Sequence, residues 1–501
     1  MKKEIKNRVL LVALLLIGIC AIMTVPASMC WIQVPDVLTV VLSVLIIVLL
    51  ICSLLTKAVN SILGKVLVIT FSTFAILISV MGQYCNPYWN SINYKTHVSF
   101  SSRPLDALIT KEEAIEDLEY AMHYLNKLHP MFYKEQPEEV MTRYQEVLTE
   151  LDNVETVSVC ELNRKIQYIF SVMGDGHTYA KAVVEEPHYM KDIYKFNQAN
   201  CRLVAINGTE LEEMLEQTKD LYSFEVESWQ MNLLKQDLST LERLQYIGID
   251  TEKGVEYTFE AEDGTRENHT YYEEDFLLYE EYEKYNGMDQ TEEDVEEISF
   301  VHYRIDKENN VAILTLDSCE YNEEYIAAVK GMFTKVKEQQ IENVVVDLRN
   351  NGGGNSYVAN EFIKYLDVES YQTGSFKWRF GIFMIPMEMP ETKNARYEDL
   401  VFAGNVYVLT SVDSFSSAML FAQFIADNDM GTLIGEAPGN TPNGYGDIAM
   451  FTLPNSDMFM QISTKQFFRA DRDNPSDLVE PDIPCDSDEA MDVLYETIAG
   501  K

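Results

Sequence analysis

Three short segments of this chain hold the residue types that acyl-transfer chemistry needs, and they lie far apart. Val344-Val345-Val346-Asp347-Leu348-Arg349-Asn350-Asn351-Gly352-Gly353-Gly354-Asn355 runs from a β-branched stretch straight into polar residues and a glycine triplet. The apolar run reads as a buried strand, and glycines beyond it let bare N–H groups approach a developing negative charge. Leu409-Thr410-Ser411-Val412-Asp413-Ser414-Phe415-Ser416-Ser417-Ala418-Met419-Leu420 supplies hydroxyls, and Met173-Gly174-Asp175-Gly176-His177-Thr178 supplies an imidazole. Alone, a glycine triplet is more often a turn and a single histidine more often plain surface. Their combination is what carries information.

A serine hydroxyl attacks well only when a base takes its proton, and the tetrahedral intermediate needs donors facing its oxygen. Val406 to Leu409 reads as a strand, and Ser416-Ser417-Ala418-Met419-Leu420-Phe421-Ala422 starts a helix with apolar residues down one face. Ser416 therefore sits at a helix N-terminus, where the dipole and free amides favour negative charge. There the Ser417 N–H can join a glycine N–H of the triplet in an oxyanion hole. Ser414 competes as an N-cap for the same helix, so these arguments leave the nucleophile open among Ser411, Ser414, Ser416 and Ser417.

In this order and company the three segments resemble the tail-specific, or C-terminal-processing, serine peptidase family. The resemblance spans roughly residues 110 to 485 and rests on Asp-Leu-Arg-Asn-Asn-Gly-Gly-Gly, the small-residue serine cluster and Asp-Gly-His-Thr. It implies a crotonase-like α/β core, with Ser416 as nucleophile and Gly353 and Ser417 as oxyanion donors. Met419 stands where the family has a glutamate. One branch of the family takes a lysine about two dozen residues after the serine as its base; the other, like the tricorn core protease, takes an upstream histidine. No lysine lies between Ser416 and Lys465, so the resemblance points to His177. A carboxylate to orient that ring is expected just before a Pro-Asp pair, within Arg472 to Asp482. Counting from the family pattern lands on Pro475, so a small insertion is needed; Asp473 is the expected residue and Asp477 the second choice. Asp347 and Arg349 read as an ion pair holding the glycine loop.

The elements that must position these groups follow from periodicity. From about residue 298 the chain alternates regularly: strand Val311 to Leu316, helix Glu323 to Lys337, strand Val344 to Val346, helix Tyr357 to Tyr365, strand Val406 to Leu409, then the serine helix. Such alternation predicts a largely parallel sheet, whose sites form beyond the carboxyl ends of its strands. Ile448 to Leu453 and Met458 to Thr464 read as a later hairpin. Upstream, Thr110-Lys111-Glu112-Glu113 is a capping box opening a helical run that continues to Met173. Residues 186 to 297 are rich in acids and tyrosine, and strand-like Cys201 to Ile206, then Asn207-Gly208-Thr209 and a helix from Leu211, resemble the second half of a PDZ-like module. Tyr279 to Tyr285 reads as an exposed helix or linker.

Apolar runs at about 9 to 25, 34 to 55 and 62 to 81 approach the length of about 20 residues that crosses a bilayer. Two further runs follow the first closely, which argues for retention of the first rather than cleavage after Ala27. Lys2, Lys3, Lys6 and Arg8 precede the first run, the next loop has no basic residue, and Lys57 and Lys65 return in the second. The positive-inside rule then puts everything after about Asn86 outside the cytoplasm.

The 501 residues carry a formal net charge of −41; the first 90 carry +4, so the remainder carries −45. That acidity excludes nucleic acid and argues against lying flat on anionic lipid. The eight cysteines are scattered without Cys-x-x-Cys spacing, so neither metal nor cofactor is expected. Almost no charge lies at depth in the spans, which argues against small-molecule transport.

The sequence thus predicts an α/β protein in four parts. Residues 1–85 form three transmembrane helices; 86–185 form a linker and a helical subdomain carrying His177. Residues 186–297 form a degenerate PDZ-like or inserted segment, and 298–501 form the crotonase-like peptidase core. The expected function is a membrane-anchored, extracytoplasmic serine endopeptidase with protein or peptide substrates. The alternative is an inactive peptide-binding or sensor protein that keeps the fold.

Overall fold

The computed structural model describes residues 2–29, 34–93, 102–198, 201–261, 263–288, 299–388 and 391–500. The boundary expected at 297–298 and Cys30 lie outside these residues.

Regular alternation in the last third of the chain builds a six-stranded sheet whose spatial order follows chain order: Val301–Asp306, Val311–Leu316, Asn343–Asp347, Asn405–Thr410, Thr432–Gly435 and Ile483–Pro484. Its first pair is antiparallel and the other four pairings are parallel. Val344, Val345 and Val346 are fully buried because helices cover both faces. Each such side chain contributes roughly 1.5–3 kcal/mol on leaving water. On one face lie helices Glu323–Gln339, Tyr357–Ile363 and Ser417–Asp427; on the other lies Ala490–Ala499. Two strands end side by side, Asn343–Asp347 running into the glycine loop and Asn405–Thr410 into the serine segment.

A second, antiparallel sheet brings the early subdomain to this edge. It contains Phe383–Met387, Ser375–Phe380, Phe459–Phe468 and Tyr445–Thr452, and Tyr179–Lys181 pairs with one end of Phe459–Phe468. Residues 179–181 are thus the continuation of the histidine loop, stitched into the core's own sheet. Behind them stands the helical subdomain. Helix Lys111–Leu128 opens on the expected capping box, and Glu138–Asp152 and Val159–Ser171 pack beside it.

Between the two lies a unit with its own core of Leu234, Leu244, Tyr257 and Phe259. It has a four-stranded antiparallel sheet, in the order Thr209–Glu210, Arg202–Ile206, Val255–Glu260, Arg266–Tyr271, and helices Leu211–Thr218, Glu227–Asp237 and Leu241–Ile247. Helix Tyr279–Asn286 packs near it with Tyr282 buried, so it is a docked helix rather than a free linker.

The N-terminal helices Lys2–Met29, Asp36–Leu55 and Ile62–Cys85 are long and apolar enough to cross a membrane. Small or polar residues face inward, with Ala21, Ala75, Ser72 and Ser79 buried and Thr24 hydrogen-bonded to Ser79 across helices at 3.1 Å. Large residues such as Val9, Leu16, Val40 and Leu77 point outward. That inversion of the soluble pattern suits helices solvated by lipid tails. The third helix runs to Cys85, a turn past the expected end, because Cys85 and Tyr88 pack into the core of the helical subdomain. Tyr88 also donates to Asp447 Oδ1 at 2.7 Å, fixing the stretch after the third helix to the second sheet.

Candidate active site

Ser416 is the N-cap of helix Ser417–Asp427 and has φ 55° and ψ −117°, a left-handed conformation that a side-chain-bearing residue rarely adopts. Such strain is held only where the surroundings fix it. Here the Ser416 N–H donates to Asn440 Oδ1 at 2.7 Å, and the Phe415 N–H donates to the Asn351 carbonyl at 2.9 Å. Ser414 is not the cap. Its hydroxyl donates to the Leu348 carbonyl at 2.8 Å and accepts from the Ser411 N–H at 3.0 Å, tying the serine segment to the glycine loop. Ser417 Oγ donates to the Gly354 carbonyl at 2.8 Å. Met419, standing where the resemblance led us to look for glutamate, is buried among the core residues beneath the parallel sheet.

The glycine loop lies against this turn. Gly353 has φ +103°, and a Cβ there would stand 2.7 Å from Ser416 Cβ and 3.0 Å from Ser417 N, so only glycine fits. The Ser417 amide is therefore beside the loop, as expected of an oxyanion donor. The Gly353 N–H, however, donates to Asn351 Oδ1 at 2.8 Å, so it is engaged in this state. Asn351 is itself buried and anchored by donating to the Leu316 carbonyl at 2.7 Å. Arg349 holds Asp347 through both carboxylate oxygens, at 2.9 and 2.7 Å, which is the ion pair that the sequence suggested.

The histidine loop reaches the same place from the other side. His177 is 7% exposed, and its ring lies against Phe415, the neighbour of Ser416, with centroids 4.6 Å apart and the planes tilted by 40°. Gln461 donates to the His177 carbonyl at 2.8 Å, and the Ser463 N–H donates to Thr178 Oγ1 at 3.0 Å, so the second sheet grips the loop. Neither ring nitrogen has a hydrogen-bond partner. Burial holds the imidazole below its ordinary pKa, with the Asp175 charge opposing that shift.

Asp175 organises the loop. Oδ1 accepts the His177 N–H at 2.9 Å; Oδ2 accepts Thr178 Oγ1 at 2.6 Å and His129 Nε2 at 3.0 Å. His129 Nδ1 accepts the Met131 N–H at 3.2 Å, which leaves Nε2 to donate to Asp175. Burial raises the Asp175 carboxyl most, but the bond and charge of His129 and the nearby His177 outweigh it and hold the group at about 2.

Glu225, from the middle unit, completes the pocket. Its Oε2 accepts the Thr441 N–H at 2.7 Å and Thr441 Oγ1 at 2.9 Å, while Oε1 is sealed from solvent with no partner. Gly444 leaves it room, since a Cβ there would stand 2.7 Å from Oε2. Burial and then the charge of Asp175 push Glu225 up to about 8. One oxygen or nitrogen from each of Asp175, His177 and Glu225 lies within 4.8 Å of the others. That spacing would tolerate a cation, but the hydrogen bonds on Asp175 leave one imidazole and one carboxylate oxygen free, fewer than the three or four protein ligands of an ordinary site.

Asp473 lies in an exposed loop, where its N–H donates to Asp471 Oδ1 at 3.0 Å. It makes no hydrogen bond to His177, whose ring nitrogens are both unpartnered. The loop from Asp471 turns instead toward Arg469, which pairs with Asp427 and donates to the Ser476 and Leu478 carbonyls. Asp477, the second choice, lies on that same turn. Three residues at the site had escaped sequence reasoning. Asn440 and Thr441 lie in the lysine-free stretch between Ser416 and Lys465, where nothing else marked them, and Glu225 lies in a segment with many acids.

A serine at a strained helix N-terminus, a glycine loop against it and an imidazole packed against its neighbour suit a serine-type peptidase. Residues 310–485 match the model of Peptidase family S41. Among solved structures, a CPAF mutant aligns with TM-score 0.56 and 10% identity, covering 78% of this chain and 96% of that one. Mature CPAF complexed with lactacystin aligns with TM-score 0.54 and 11% identity, covering 78% and 97%. At such identities the likeness establishes the fold. No curated protein matches the chain.

Proposed function

We propose that this chain is a membrane-tethered serine endopeptidase of the histidine-using branch, acting outside the cytoplasm on proteins or peptides. Ser416 attacks the scissile carbonyl, and His177 takes its proton and later passes it to the leaving amine. The observation that carries this reading is the left-handed Ser416 with the His177 ring packed against the adjoining Phe415. The Ser417 N–H is one oxyanion donor, and the Gly353 N–H becomes the other when Asn351 Oδ1 releases it to substrate. No hydrogen bond joins Ser416 to His177 before substrate binds, in keeping with the tightening that catalytic contacts undergo in the loaded complex.

The remaining architecture belongs to the same reading. We take the parallel sheet and its serine helix as a crotonase-like core, and the strand Arg202–Ile206 with helix Leu211–Thr218 as a degenerate PDZ-like unit. The lysines and arginine before the first apolar helix set the N-terminus in the cytoplasm and residues from about Asn86 outside.

A fluorescent fluorophosphonate tests the chemistry on the full-length protein in detergent. The wild type is expected to be labelled covalently, and Ser416→Ala and His177→Ala are expected to lose the label. Wild-type protein that stays unlabelled while folded would favour the inactive sensor reading.

A further inference from the structure

The imidazole that accepts a serine proton becomes a cation in a buried pocket, so an anion must face its other N–H. Among the described residues two carboxylates border the ring. Asp175 stands with Oδ1 3.8 Å from His177 Nδ1, outside hydrogen-bond reach. It is also fixed there, because its oxygens hold the loop's own backbone, Thr178 and His129. Glu225 differs in the decisive respect. Its Oε2 is anchored on Thr441 and the Gly176 backbone also favours its anion, while Oε1 is buried with no hydrogen-bond partner; one carboxylate oxygen lies within 4.8 Å of a His177 ring nitrogen, and both ring nitrogens are unpartnered. Unsatisfied buried polar atoms are rare and call for an explanation, and here two sets of them lie side by side.

From this geometry we infer that Glu225, supplied by the middle unit, is the positioning carboxylate of His177. The inference rests on the proposed roles of Ser416 and His177. A small rotation about the Thr441 anchor brings Oε1 to the ring, where it accepts the imidazole N–H and fixes the tautomer whose other nitrogen takes the serine proton. The proton moves from Ser416 Oγ to His177 and then to the leaving amine; Glu225 stays an anion throughout. The same segment seals the pocket. Trp229, four residues on, stacks on Phe415 with centroids 4.4 Å apart, and Asn232 donates to Asp413 Oδ1 at 2.6 Å. The site is therefore complete only while the middle unit is docked on the serine loop.

A pH signature follows. The titratable groups facing Glu225 are Asp175 and His177 on the histidine loop and Tyr445 on the adjoining strand; no lysine or arginine pairs with it among the described residues. Burial and then the Asp175 charge push Glu225 up to about 8, so on this inference the anion that accepts from the ring forms as the pH passes that value; the protonated carboxyl would donate to the ring and select the wrong tautomer. Reactivity of Ser416 should rise as the pH passes that value.

The test is the rate of fluorophosphonate labelling of the full-length protein in detergent from about pH 6 to pH 10. Glu225→Gln is expected to slow labelling at the alkaline end by about a hundredfold or more and to flatten the rise, by analogy with loss of the triad carboxylate. Glu225→Asp should keep the rise at a reduced rate. Thr441→Val removes one bond to the carboxylate without touching it, and should move the midpoint upward; a merely structural role for Glu225 would leave the midpoint in place. The inference is overturned by Glu225→Gln labelling within threefold of wild type with an unchanged profile, or by Asp473→Asn, and not Glu225→Gln, losing the rise. Labelling of Ser416→Ala as strong as wild type would overturn the peptidase mechanism and this inference together, whereas labelled wild type with an indifferent Glu225→Gln overturns the inference alone.

Discussion

Around Ser416 the polar groups are largely tied down: the Ser416 amide to Asn440, the Ser417 hydroxyl to the Gly354 carbonyl, the Ser414 hydroxyl to the Leu348 carbonyl, and the Gly353 amide to Asn351. Around His177 three polar atoms are buried with nothing to bond, and two carboxylates crowd one imidazole. The cradle is built from the ends of adjacent strands in one sheet, and the pocket from three stretches of chain that meet across subdomains. A stiff region stores geometry and a frustrated one stores proton affinity. A serine peptidase needs both, since its nucleophile must be placed before its base can act.

The sharpest way to break this contrast is to deform the cradle. Gly353→Ala sets a methyl group 2.7 Å from Ser416 Cβ at a residue with φ +103°. Fluorophosphonate labelling should fall by about a hundredfold or more, the scale of losing an oxyanion donor, while circular dichroism stays near wild type. Labelling at the wild-type rate would mean that the cradle is as pliable as the pocket.

A smaller effect sharpens the pocket side. Asp175 is held at about 2, below its ordinary 3.8, so its contribution to stability is present above the ordinary value and is lost as the pH falls toward 2. Asp175→Asn should cost about 2 kcal/mol at pH 7 in denaturant titrations, from a shift of nearly two units at 1.36 kcal/mol each. The difference from wild type should shrink toward pH 2. A constant cost across that range would show that Asp175 acts through shape and not through charge.

The smallest change concerns the position that departs from the family pattern. Met419 is buried under the sheet, so Met419→Leu should cost less than about 1.5 kcal/mol and leave labelling within twofold, as volume-conserving core exchanges do. A large loss of labelling with intact stability would give residue 419 a part in the chemistry that its burial does not suggest.

Much of the core was legible because it is written in neighbouring residues. Strand Val311–Leu316 was anticipated to the residue, and the other strands and helices of that region to within a few, since alternation and apolar periodicity are local signals. The capping box at Thr110 and Glu113 formed as read. The hairpin came out longer than its apolar pattern, because residues 179–181 and 375–380 pair along Phe459–Phe468 and extend its order. Asp473 was expected at the ring by counting along the family's spacing; the loop instead closes on Arg469, which pairs with Asp427 and donates to the Ser476 and Leu478 carbonyls.

By itself the sequence determined the serine turn, the glycine loop, the histidine loop and the three apolar helices, because each depends on conformational preference and burial within a dozen residues. Tertiary structure alone decided which carboxylate reaches the imidazole. Among 80 acidic residues nothing local distinguishes Glu225, and its partner Thr441 lies 216 residues away. A carboxylate's character is set by what removes its water and what charge remains beside it, and both are properties of the packed molecule.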